Sequence, residues 1–230
     1  NGGTLDIYGG NTQRDIENNG TVNVKGSTAI NNKVTGSSDG NLNIDANGGT
    51  AIINNQITGT NLTLTNGTMI IGDLGSINGA SNFYANGGML SAINNKIETI
   101  DLGNVTLTGT TKLGIDFHLN SAKSDAFTGN FSGTGKFDVS TINVLGNNLT
   151  KPISIAISDL TGIPDEFVTA DNQALKTIAT STKKFKGYVK DGVLHYAPVS
   201  GTNYKDYNSG TLAAPIAAQL GGYLTQLNTY

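Results

Sequence analysis

The chain has 230 residues, with 14 Lys and Arg against 17 Asp and Glu and a formal net charge of −3. Charged residues make up only 13% and form no basic stripe, which argues against a nucleic-acid partner and against a charge-rich disordered chain. Cysteine is absent, which removes disulfides, zinc–thiolate sites and thiol catalysis together. Gly occurs 31 times and Pro four times, a bias that suits short strands joined by many tight turns. No apolar run reaches the roughly 18 residues of a membrane helix.

A repeat of about twenty residues organises roughly positions 1 to 110. Val22 and Val24 in TVNV align with Leu42 and Ile44 in NLNI, and these with Leu62 and Leu64 in NLTL. Ile57, Ile77 and Ile97 are also 20 apart, and Ile30, Ile53 and Ile93 follow at 23 and 40. Within each unit apolar and polar residues alternate over three to five positions, as half-buried strands require. One such unit cannot bury its own apolar face, so stability must come from stacking units on one another. The expected fold is all-β: a right-handed parallel β-helix with coils of about 20 residues, a C-terminal β-hairpin cap and a short terminal α-helix. Val22, Leu42 and Leu62 are expected to form one internal ladder.

An Asn-Asn pair recurs after apolar residues at Asn31-Asn32, Asn54-Asn55 and Asn94-Asn95. The expectation is a structural ladder at one corner, because Asn tolerates left-handed backbone and stacked amides bond along a cross-β stack. A ligand-binding row is the alternative, and it requires Asn and Thr side chains pointing outward on one flat face.

Beyond about residue 100 the chain reads as further strands, in NVTLTG, KLGIDFHL, FDVSTINVLG and KPISIAIS. Positions 165 to 180 suggest a short helix with Phe167, Ala174, Leu175 and Ile178 on its apolar face. The segment KKFKGYVKDGVLHYAPV reads as a hairpin turning at Asp191-Gly192, with Phe185, Tyr188 and Tyr196 packing on its faces. Lys183, Lys184, Lys186 and Lys190 form the one dense cationic run, read as a solvated strand edge. The last segment spaces Leu212, Ile216, Leu220, Tyr223, Leu224 and Leu227 helically, with Pro215 suited to a first turn. Its other positions are small: Ala213, Ala214, Ala217, Ala218, Gly221 and Gly222.

The stretch from KLGIDFHL to INVLG resembles the C-terminal end of bacterial autotransporter passengers. Ser124-Asp125 and Gly133-Thr134-Gly135 hold the places of that family's small-polar loop and G-x-G. AAPIAAQLGGYLTQLN resembles the family's helical linker, through Pro215, Ile216, Leu220 and Leu224, into a translocator barrel. The resemblance implies three regions: a β-helix passenger segment over 1–145, a capping, autochaperone-like module over 146–208 including Tyr188, Asp191, Gly192 and Tyr196, and a linker over 209–230. It also implies that the chain is a fragment of a longer protein, displayed at the bacterial surface on the extracellular side of the outer membrane. Its partners would be its own barrel in cis and a host or bacterial surface protein or glycan.

Chemistry-bearing motifs are sparse. Histidine occurs only at 118 and 195. The GDSGS segment of the family's serine proteases is missing, as is GxSxG. SGTGKF fails phosphate-loop spacing. Asp39, Asp45, Asp73 and Asp101 are dispersed among coils, and no calcium-loop motif occurs. The expectation is therefore no enzyme, no cofactor and no metal. The expected role is a membrane-proximal stalk that supports passenger folding and presents an adhesive region. An adhesin that itself binds glycan or protein is the rival, and a polysaccharide-processing β-helix enzyme comes third.

Overall fold

In the computed structural model, residues 2–146, 151–170, 174–177 and 185–198 are described. Alternation of apolar and polar residues produces short strands, and each strand pairs in parallel with the equivalent strand of the next coil. On the first side of the solenoid, Thr4–Ile7 pairs with Thr21–Val24, and that strand with the start of Asn41–Ile53. The side continues through Asn61–Ile71, Asn82–Ala85, Thr99–Leu107 and Ala126–Gly133. The second side runs from Gly10–Asn11 through Thr28–Ile30, the far halves of the two long strands, Met89–Ser91, Thr110–His118 and Lys136–Leu145. The third side stacks Ile16–Asn18, Val34–Gly36, Gln56–Thr58 and Ser76–Ile77.

The parallel β-helix is thus present. Its coil length is not constant. On the first side the step is 17 residues from Thr4 to Thr21, then 20 twice, 21, 22 and finally 26 from Asn104 to Asn130.

Val22, Leu42 and Leu62 stand in one column, continued upward by Phe83 and Val105. Leu42, Phe83 and Val105 are fully buried, whereas Leu5, in the first coil of the same column, is 48% exposed. The difference is the physical content of a solenoid: an apolar side chain is removed from water mainly by the coils above and below it. The column Ile30, Ile53, Ile71 is likewise fully buried. Extending the Ser91–Ile70 register by one residue places Ala92 over Ile71, so Ile93 leaves that column and is only half-buried. Ile97 also departs from the repeat. Val34, Ile57 and Ile77 stack, but Ile97 is exposed and the buried residue is Ile100, which pairs with Phe127. The extra residues of the lengthening coil shift the register by three.

Gly103 marks where that longer coil turns from one side to the next. Its φ is +68°, and a Cβ there would lie 1.9 Å from the Ala80 carbonyl oxygen. A register shift between Asp101 and Asn104 coincides with it. Only glycine combines that backbone with so close an approach.

Above the last full coil the chain changes topology. Val168–Thr169 and Ala174–Thr177 lie in parallel on Lys136–Leu145. The expected helix over 165–180 is therefore incorrect: Asp165–Phe167 is a single 3-10 turn, and Ala174–Thr177 is a strand. The open edge of Lys136–Leu145 offers backbone groups whose pairing outweighs a weak helical pattern carrying β-branched Val168 and Thr169. The one α-helix among the described residues is Ile157–Thr161, closed by Gly162 in left-handed conformation.

The hairpin cap is present, as an antiparallel sheet in the order Ile153–Ala156, Val193–Pro198, Phe185–Lys190. Lys190 pairs with Val193 across Asp191 (φ 52°) and Gly192 (φ 72°), the positive pair of angles that a two-residue turn of this kind needs. Leu194, Tyr196, Ile157 and Leu160 join the solenoid core, so cap and coils share one apolar interior. Residues 199–230, with the linker positions Pro215, Ile216, Leu220 and Leu224, lie outside the described residues.

Candidate functional site

Strand alternation sends every second residue of the first side outward, and register turns those residues into columns. One column carries Thr4, Thr21, Asn41, Asn61, Asn82, Asn104 and Asn130. From Asn61 upward each amide Nδ2 donates to the Oδ1 below: Asn61 to Asn41 at 3.2 Å, Asn82 to Asn61 at 2.7 Å, Asn104 to Asn82 at 3.3 Å and Asn130 to Asn104 at 3.1 Å. The neighbouring column is Asp6, Asn23, Asn43, Thr63, Tyr84, Thr106 and Ser132. Its lower end is bonded in the same way, Asn43 to Asn23 at 2.9 Å and Asn23 to Asp6 at 2.7 Å. Lys25 also reaches Asp6 at 2.7 Å, and both side chains are exposed. Lys25, followed by the Asn23 amide and the Tyr8 hydroxyl, holds the Asp6 carboxyl below its usual range.

The longest Asn ladder is therefore not at the Asn-Asn pairs. Its sequence signal is an Asn just before the first inward apolar residue of five successive coils, in NLNI, NLTL, NFYA, NVTL and NFSG. That signal is legible once the strands are put in register. Asn82→Ala removes one rung that both donates and accepts, and is expected to lower the unfolding free energy by about 1–2 kcal/mol in urea titrations. An unchanged denaturation midpoint would show that water replaces the rung without loss.

The Asn-Asn pairs divide. Asn54 Nδ2 donates to Asn31 Oδ1 at 2.9 Å, and Asn55 Nδ2 to the Asn31 carbonyl at 3.2 Å. Thr12 Oγ1 donates to Asn32 Oδ1 at 3.3 Å. Asn94 and Asn95 do not join this stack. Gly72 occupies the position above Asn54, where a Cβ would lie 2.2 Å from Asn54 Oδ1. Of the six residues only Asn95 adopts positive φ, at 65°, so left-handed backbone does not explain the recurrence.

Asn94 and Asn95 instead belong to a buried carboxylate node. Between Ser91 and Thr99 the chain forms a loop without strand pairing, leaving backbone N–H groups to be satisfied by other means. Asp116 Oδ2 accepts from Asn94 N at 2.8 Å and Asn95 N at 2.7 Å. Asp125 Oδ1 accepts from Glu98 N at 3.0 Å, and its Oδ2 from Asp116 N at 2.7 Å. Asn143 Nδ2 donates to Asp116 Oδ1 and, at 3.3 Å, to Asn95 Oδ1. Asn94 Nδ2 donates to Glu98 Oε1 at 2.7 Å.

Asp116 and Asp125 are fully buried. Burial pushes the Asp125 carboxyl up to about 7 against the opposing pull of the two backbone N–H groups, and the charges of Asp116 and Glu98 add to the rise. Burial also raises Glu98, opposed by the Asn94 hydrogen bond and the Lys96 charge. In the sequence Asp125 stands out only as half of the Ser124-Asp125 pair. An acid between Ile115 and Phe117 in a strand buried on both faces was the available signal.

In the cap, Tyr188 stacks on His195 at 4.9 Å between ring centroids, and the Ser154 hydroxyl lies 2.9 Å from His195 Nδ1. His118 Nδ1 meets the Ser121 hydroxyl at 3.4 Å. Among the described residues neither imidazole touches a carboxylate, so no Ser-His-Asp relay is assembled. Asp45 sits in a surface depression with Asn23, Asn43, Thr63 and Thr65, whereas Asp73 sits in another with Asn31, Asn54 and Asn94. No group of three or more His, Cys, Asp or Glu positioned for a metal ion occurs among the described residues. Likewise, no helix there is long and apolar enough to cross a membrane.

No family model matches this chain, and no curated protein or solved structure matches it either.

Proposed function

We propose that the chain is the membrane-proximal β-helical stalk of a surface-displayed bacterial autotransporter, serving passenger folding and presenting an adhesive region. The observation that carries this reading is the capped end of the stack. Val168–Thr169 and Ala174–Thr177 lie on the last full coil, and the antiparallel sheet buries Leu194 and Tyr196 in the same core. A stack closed in this way has a protected edge from which coils can order one after another. The Ser124-Asp125 loop fits the same picture: Ser124 Oγ bonds the Leu160 carbonyl, tying the cap helix to the upper coils. The activity is mechanical, with residue ladders supplying stiffness.

In the full-length displayed protein, deleting residues 150–200 is expected to leave the passenger protease-sensitive at the cell surface. Unchanged protease resistance of the displayed passenger would overturn the stalk reading. A second reading, a solenoid that itself acts as an adhesin, is favoured by one observation: the outward columns of Asn and Thr on the first side.

A further inference from the structure

The outward columns hold a site that the stalk role does not need. Three consecutive coils present NLTLT, NFYAN and NVTLT on the first side. Register places Thr63, Tyr84 and Thr106 in one column and Asn61, Asn82 and Asn104 in the next. Asn86 N bonds the Leu64 carbonyl and Thr108 N the Ala85 carbonyl, so Thr65, Asn86 and Thr108 form a third column. Leu62, Leu64, Phe83, Ala85, Val105 and Leu107 are buried between them, so the nine remaining side chains alternate to the outer side of the strands, where Asn61 alone is largely covered, at 8% exposed. Strand spacing makes this patch about 10 Å by 14 Å.

The composition of the patch is selective. Eight members are neutral amides or hydroxyls, and the ninth, at the centre, is Tyr84. Tyr84 is 45% exposed, one of few large apolar side chains left in water among the described residues. A core-driven sequence has no use for an aromatic there, since the coils below and above place Thr in the same column. No charged side chain falls within the patch. Lys25, lower on this side, is already paired with Asp6.

We propose that Tyr84 and its surrounding Asn and Thr residues form a binding platform for a neutral glycan chain. The π-face of a tyrosine is electron-rich, and it attracts the C–H face of a pyranose, whose hydrogens carry partial positive charge from the ring oxygens. Hydroxyl groups at the sugar's rim meet the free donors and acceptors of the flanking amides and threonines. Asn61 and Asn104 each donate twice, to the amide below and to the carbonyls of Ser38 and Ser81, whereas Asn82, beside Tyr84, donates only to Asn61 and keeps a second N–H; each Oδ1 of the three keeps a lone pair. The ladder fixes the amides before a ligand arrives, which lowers the ordering cost of binding. Charge selects the class: the nine residues carry no charge, and the one cation at their lower edge, Lys25, which shares a depression with Thr63, Thr65 and Asp45, is already paired with Asp6, so an anionic polysaccharide gains little, and a second copy of this chain would bring a like patch with no complementary charge. The platform would give the adhesin reading its ligand class, and it stands on the solenoid face alone, whatever the cap does.

The test is a panel of neutral cello-, xylo-, malto-, galacto- and chito-oligosaccharides against the intact chain, read by saturation-transfer NMR and calorimetry. Wild type is expected to bind at least one series saturably. Tyr84→Thr continues the column chemistry of Thr63 and Thr106 and is expected to weaken that binding about tenfold or more. Tyr84→Phe is expected to retain it, and so is Tyr8→Ala, which removes the other exposed tyrosine among the described residues. Matching unfolding midpoints and sedimentation of all variants secure the comparison. The proposal is overturned by no binding across the panel, by binding that Tyr84→Thr leaves intact, or by Tyr84-dependent self-association without sugar. Surface protease resistance, which tests the stalk role, should not change in Tyr84→Thr, so the two readings fail separately.

Discussion

Replacing Asp116 with alanine is expected to lower the unfolding free energy by about 3–5 kcal/mol, the sum of several orphaned donors and the largest single-residue effect expected here. The carboxylate is fully buried and accepts from the backbone N–H of Asn94 and Asn95 and from the Asn143 amide. Alanine leaves those donors facing a cavity, and each unsatisfied buried donor costs about 1–3 kcal/mol. The loss should be local before it is global. Asn94 and Asn95 belong to the loop that bridges two sides of the solenoid, and Asp116 is what pairs their backbone. Native-state hydrogen exchange should therefore show faster opening around residues 92–99 in Asp116→Ala, with the columns near Leu42 unaffected. A chemical-denaturation midpoint within error of wild type would sink this account of the node.

The second large effect is on pH. Asp125 is raised from 3.8 to about 7 in the folded chain, chiefly by burial. A carboxyl raised on folding holds a proton that the unfolded chain has released. Its contribution to stability is therefore complete below about pH 4, falls as pH climbs, and is exhausted above about 7. The slope cannot exceed one proton, or about 1.4 kcal/mol per pH unit. Glu98 is displaced in the same direction and adds to the fall. Stability is thus expected to decline between about pH 5 and 7, opposite to the usual acid sensitivity of carboxylate-stabilised proteins. Asp125→Asn removes the titration while keeping one acceptor oxygen, so its urea midpoints should be much flatter across that range. A wild-type profile that rises with pH, or one that Asp125→Asn leaves unaltered, would show that the carboxyl is ionised in the fold. The direction implies a stack most firmly closed in mildly acidic surroundings.

The two nodes of polar chemistry arise from different physics. The Asn ladder on the first side is a consequence of repetition, since equal side chains at one register position meet at strand spacing and bond to each other. The carboxylate node is a consequence of irregularity. Where the coil lengthens to 22 and then 26 residues, regular pairing on the third side stops, and carboxylates take over the orphaned N–H groups.

Sequence by itself determined the regular part of this protein. Alternation in TVNV, NLNI and NLTL, and their spacing of 20, sufficed for parallel coils and for the Val22–Leu42–Leu62 column, because in a solenoid equal register means contact. Asp191-Gly192 sufficed for the hairpin turn, because few residue pairs accept two successive positive φ angles. What tertiary structure decided was everything that depends on unequal coil lengths. It moved Ile93 and Ile97 out of their columns, put Gly72 between Asn54 and the later Asn pair, and turned Ala174–Thr177 from an expected helix into a strand. It also gathered Asn94, Glu98, Asp116, Asp125 and Asn143, which are up to 49 residues apart, around two buried carboxyls. Periodicity is additive along a chain and can be read from it. Insertions change which residues meet across coils, and that is settled only when the whole stack closes on its core.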